Sequence, residues 1–187
     1  MKSKSKSLLW ATRIIALLVV VGVTGVIAGT RAPNHFAGVI NDYTAVAGGT
    51  GPWEVRGPWT LNVNERTGNA DFSAAVSMEL TDFALSGANI GTSTRTQHTH
   101  HLTVEGGTVK TITGGFEVTG PVTIDKDGGT APKSIQGSSL VIDITGGTLV
   151  EFSNVALTFE DGAAGHFGTT SLHGVVRKAT FERNENR

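Results

Sequence analysis

A chain of 187 residues with 39% hydrophobic and 17% charged side chains has the make-up of one globular domain, which excludes a disordered or fibrous polymer. It contains no cysteine, which excludes disulfides, thiolate metal sites and a lipidated cysteine anchor. The four basic residues Lys2, Lys4, Lys6 and Arg13 fall in the first 28 positions, leaving 11 basic against 16 acidic side chains beyond them, a net charge of −5. A mildly acidic domain without a block of Lys and Arg has no field with which to hold nucleic acid or anionic headgroups.

In chain order, residues 1–28 come first and read as an export segment. The lysines precede an uncharged apolar run at 14–30 that predicts an N-terminal hydrophobic helix. Val26 and Ala28 supply the small residues of a cleavage site, so the segment is a signal peptide or, if uncut, a membrane anchor. Both place the remainder outside the cytoplasm, secreted or anchored to the membrane through this segment alone. Residues 29–52 begin near Pro33 and end in a Gly/Pro run. Phe36, Val39, Ile40 and Tyr43 have helical spacing interrupted by Gly38, which predicts a tether with a short docked segment.

From Trp53 to residue 182 the hydrophobic period is two, the signature of strands. Trp59, Leu61 and Val63 alternate with polar residues, a turn follows at 65–69, and Ala70, Phe72, Ala74, Val76, Met78 and Leu80 alternate again. A polar loop at 86–96 leads into Gln-His-Thr-His-His-Leu-Thr-Val-Glu at 97–105. Gly106-Gly107 predicts a two-residue hairpin corner there. Further strands carry Phe116, Val118, Val122 and Ile124, then Leu140, Ile142 and Ile144. Val150 and Phe152 are out of phase with Val155, Leu157 and Phe159, which predicts one strand with a bulge near Ser153-Asn154. A small-residue loop at 161–170 carries His166, a last strand follows at 172–181, and residues 183–187 form a charged tail. Eight or nine strands joined by hairpins give an all-β fold: a single-domain antiparallel up-and-down barrel, lipocalin-like, with a two-sheet sandwich as second choice.

The chemistry concentrates in the histidines. His98 and His100 share a strand face with Leu102 and Val104, so both rings point inward, with backbones about 6–7 Å apart. That spacing lets two imidazoles reach one ion, with zinc or copper suited to ligands without thiolate. His166 in Gly-His-Phe-Gly and His173 in Leu-His-Gly are the candidates to complete the set. His101 and Glu105 fall on the opposite face, and His35 lies in the tether. The same histidines could instead line a polar ligand pocket or serve as satisfied core groups. No Gly-x-Ser-x-Gly elbow indicates a hydrolase, so no catalytic residue is assigned. Lys-Asp-Gly-Gly at 126–129 turns the chain, and Asp125, Asp127 and Gly128 read as an Asp-Gly hairpin corner rather than a calcium loop.

The strings His-Thr-His-His at 98–101, Phe-Ser-Asn-Val at 152–155, Gly-His-Phe-Gly at 165–168 and Leu-His-Gly-Val-Val at 172–176 resemble those of a group of small exported bacterial all-β proteins with no assigned activity. Separately, residues 114–124 are similar to one strand of the YceI-like periplasmic barrels; that resemblance implies an antiparallel barrel holding an isoprenoid lipid. Three functions follow as expectations: an exported barrel binding a small ligand or transition metal through an inward histidine cluster, an apolar-ligand or isoprenoid carrier without metal, and a cell-surface structural or interaction module.

Overall fold

The computed structural model describes residues 32–45, 52–80, 97–127 and 134–181, all within the compact unit spanning 31–187. The expected hydrophobic segment at 1–28, the loop at 86–96 and the tail at 183–187 lie outside the described residues. The strands are β1 (His35–Ala45), β2 (Pro52–Asn64), β3 (Asn69–Leu80), β4 (Gln97–Ile112), β5 (Gly115–Asp127), β6 (Ser134–Thr145), β7 (Asn154–Phe159) and β8 (Leu172–Thr180). Each pairs antiparallel with the next, and β1 pairs with β8 to close the barrel. The up-and-down barrel is thus the observed architecture, and the sandwich is not.

Alternation explains which residues fill it. On β3 the inward set is Ala70, Phe72, Ala74, Val76 and Met78; on β4 it is His98, His100, Leu102 and Val104, all buried. The core side chains are at most 6% accessible, so the interior is filled by side chains, as an eight-stranded barrel is just wide enough to permit. The largest of them, Trp59, packs over Gly38 of the paired strand; a Cβ there would lie 2.8 Å from the indole and 2.0 Å from the Val175 carbonyl oxygen.

Three expectations are corrected. The segment 29–52 is not simply a tether: β1 lies within it, pairs with both β2 and β8, and buries Phe36 and Ile40. Its true period is two, with Phe36, Gly38 and Ile40 on the inner face; the helical spacing came from counting Val39 with them. Gly106-Gly107 is not a corner either. Strand β4 runs through it, and one extra β4 residue is accommodated against both neighbours between Thr103 and Thr108. Gly106 adopts φ +63 and donates its N–H to Asp71 Oδ1 at 2.8 Å, the arrangement of a glycine bulge. Residues 148–153 form no strand before β7; Leu149 and Phe152 have positive φ, and the 78% exposed Phe152 turns outward.

Between β7 and β8 the chain makes a 3-10 turn (Asp161–Ala163) that continues into a one-turn helix, α1 (Ala164–Phe167), where the sequence predicted only a loop. Gly168, at φ +88, ends it. Buried Phe167 stacks on Phe159 of β7, with ring centroids 4.2 Å apart. Ala163 N–H donates to Ser138 Oγ of β6 at 2.9 Å, and the Thr44 hydroxyl of β1 donates to the Phe167 carbonyl. These contacts pin α1 at the barrel end where β4 begins and β5 finishes.

Candidate metal centre

Two inward rings from one strand meet a third from α1, which plugs this end of the barrel. His98 and His100 occupy the first turns of the β4 alternation, opposite Met78 and Val76 of β3. His166 projects from α1 onto them. Its Nε2 lies 2.8 Å from Nε2 of His100 and 3.4 Å from Nε2 of His98. One ligating nitrogen from each ring falls within 4.8 Å of the others. In a tetrahedral site with metal–nitrogen bonds of 2.0–2.1 Å, neighbouring nitrogens are about 3.3 Å apart. The His98–His166 separation already has that value. The His100–His166 separation is a hydrogen bond, in which one Nε2 carries the proton, and an ion would open it by about half an ångström.

Burial governs the protonation of this group. His98 and His100 are 5% and 1% accessible, and His166 is half-buried. Loss of hydration pushes the His100 pKa down to about 3, with repulsion from His166 and His98 adding to it. The His98 and His166 pKa values are lowered for the same leading reason, and the nearby Lys126 charge pushes in the same direction on all three. The rings are therefore neutral at neutral pH, each with one ring lone pair, and the ring that donates its Nε2 proton ligates an ion once that proton is held on Nδ1. The backbone of Asp125 on β5 works weakly the other way on His100, short of hydrogen-bond geometry: Nδ1 of His100 is buried without a partner. A ligating histidine ordinarily donates its second ring N–H to such a backbone or carboxylate group, and a small approach by Asp125 would supply that contact.

Aromatic rings hold the cluster in place. Trp53 of β2 meets His98 edge-on at 5.5 Å, and Phe167 meets His100 at 5.1 Å and His166 at 5.1 Å. Lys126 of β5 is the direct cross-strand partner of His100, so its side chain leaves the sheet on the inner side. Reading Lys126 as part of a turn missed it. The parity of Ile124 and Lys126 was the available signal.

The remaining histidines do not join. His173, a candidate beside His166 to complete the set, stands on the outer face of β8, where Nδ1 pairs with Asp42 Oδ2 at 2.8 Å and its side chain is 63% exposed. Leu172 takes the inward place beside it, so the one-residue alternation excludes His173. His101 pairs outside with Asp127 at 2.8 Å, Glu105 is exposed at the bulge, and His35 sits on β1 beside Asn62. The ligating group thus contains no carboxylate among the described residues. Comparison with protein-family models, curated proteins and solved structures returns no match to this chain.

Proposed function

We propose that the protein is an exported barrel that binds one divalent transition metal, zinc or copper, through Nε2 of His98, His100 and His166. The observation that carries this reading is the convergence of three neutral imidazole nitrogens at metal-ligating spacing, supplied by a strand and a plug helix 66 residues apart. Three histidines leave a tetrahedral ion one open position, the arrangement of a site that exchanges a ligand rather than a closed structural one. Among the described residues the core side chains are at most 6% accessible, and this filled interior weighs against the isoprenoid-carrier reading.

Protein purified without a polyhistidine tag and incubated with zinc or copper retains one equivalent after desalting, and its melting temperature rises because the ion binds only the folded state. Retention below about 0.1 equivalent with an unchanged melting temperature removes the metal. Export rests on the lysine-flanked apolar segment and has its own test. Mass spectrometry of the protein from its native cell finds a mature terminus near Gly29 if the segment is cut, and the intact leader in the membrane fraction if it is an anchor. A full-length chain in the cytoplasmic fraction contradicts both.

A further inference from the structure

We infer that the metal ion is a latch. It locks residues 160–171, the strap that joins β7 to β8 over the plugged mouth, against the opposite wall of the barrel, and its loss lets the strap open. The inference rests on the metal reading above and adds what binding at that site regulates.

Topology sets the geometry of the latch. In a closed ring of eight, β4 and β8 stand four strands apart, on opposite sides. The strap leaves β7 at Phe159 and returns at Leu172 of β8, yet His166 in its middle reaches His98 and His100 of β4. An ion held by all three rings therefore spans the mouth from wall to wall. Polar anchors of the strap also lie on its own side. Glu160 N–H donates to the Ser139 carbonyl of β6 at 3.0 Å, Ala163 N–H donates to Ser138 Oγ of β6, and the Thr44 hydroxyl of β1 donates to the Phe167 carbonyl. Strands β6 and β1 flank the β7–β8 pair. Without the ion, the strap meets β4 through the His100–His166 hydrogen bond between neutral rings and the packing of Phe167 on His100.

The seam beneath the strap is short. Asn154–Leu157 pair with Leu172–Val175, whereas β1 pairs with β2 along the whole of His35–Ala45. Phe159 pairs with Leu140 of β6 but lies past the end of the β8 ladder. The strap itself buries two apolar side chains, Ala163 and Phe167, and turns at two residues of positive φ, Asp161 at +54 and Gly168 at +88. Few buried apolar groups beside a short ladder make an element that opens locally, at a lower free energy than the whole fold. The ion couples to that opening because the closed strap offers it three imidazoles and the open one leaves two. Giving up a ligand weakens the hold on the ion by about tenfold or more, and by linkage the ion disfavours opening by the same factor. Opening uncovers the Phe159–Phe167 stack, so metal decides whether this end of the barrel shows an apolar face.

Amide hydrogen exchange of the full-length, untagged protein, with and without one equivalent of zinc, tests the latch. The reporters are the amides of Glu160, Ala163 and Gly168, each hydrogen-bonded in the closed strap, with those of β3 on the far wall as reference. In the metal-free protein the strap amides exchange at least about tenfold faster than the β3 amides, and zinc slows them at least about tenfold. In His166→Ala the two histidines of β4 remain, and zinc no longer slows the strap. Zinc retained at one equivalent with unchanged strap exchange overturns the latch and leaves the metal reading standing. Strap amides as slow as β3 before metal is added, or a zinc effect that persists in the variant, do the same. Failure of the wild-type protein to retain zinc overturns both.

Discussion

His166 and His173 have similar surroundings in sequence, each beside glycine, yet they have opposite fates. His166 lies on a one-turn helix whose neighbour Phe167 is locked into the barrel end, so its ring is delivered to His100 at 2.8 Å. His173 is on a strand, where position alone decides its face. His166→Ala therefore lowers zinc affinity by roughly 100-fold or more, whereas His173→Ala leaves it unchanged, both read by competition against a chromogenic chelator. Equal losses in the two variants would contradict the assignment. The depressed pKa values give a second prediction. Unfolding returns each ring to about 6.5, so below that pH the unfolded chain binds more protons than the folded one. Stability of the metal-free protein is then full above pH 6.5 and falls as pH drops toward the folded values, by up to about 1.4 kcal/mol per pH unit for a ring such as His100. Denaturant midpoints at pH 7.5 and 5 check this. The decline is shallower in His100→Leu, and a flat wild-type profile would contradict it.

At the scale of elements, the plug helix is too short to stand alone, and its position comes from tertiary contacts. Phe167 is the main one. Phe167→Ala removes the stack on Phe159 and costs about 3–5 kcal/mol of stability, measured by denaturant unfolding. Zinc affinity falls with it, because His166 loses its anchor; a folded variant with wild-type affinity would show that the helix is not held this way. The helix was not legible in the sequence, since Ala-Gly-His-Phe offers four residues and no amphipathic period. The strand pairs were legible wherever alternation was long, as along β3. It failed at Gly106-Gly107, because a glycine pair serves a bulge as well as a corner, and only the partner strands reveal which. The inward facing of His98 and His100 was legible from Leu102 and Val104 alone.

The whole molecule depends on closure, which spares an eight-stranded sheet its open edges. Closure was inferred from the succession of hairpins, but the strand that completes it was hidden: β1 sets Gly38 inside a short apolar set whose spacing also fits a helix, and it carries Asp42 and Thr44 toward the mouth. Gly38 is a tight point of the seam, at the crossing of β1, β8 and Trp59. Gly38→Ala forces the indole and the β8 backbone apart and costs roughly 3 kcal/mol or more, against a near-neutral change if the seam yields. Thermal unfolding of the two proteins distinguishes these. The same closure brings residues from positions 98 to 166 to one end of the barrel, which is why no single stretch of sequence displays the site.

The coordination shell of the bound ion tests the central claim most directly. X-ray absorption at the zinc edge of the loaded, untagged protein should show about three imidazole nitrogens at 2.0–2.1 Å plus one lighter ligand, and lose one imidazole in His166→Ala. A shell of oxygens alone, or three imidazoles that persist when His166 is gone, would contradict the account.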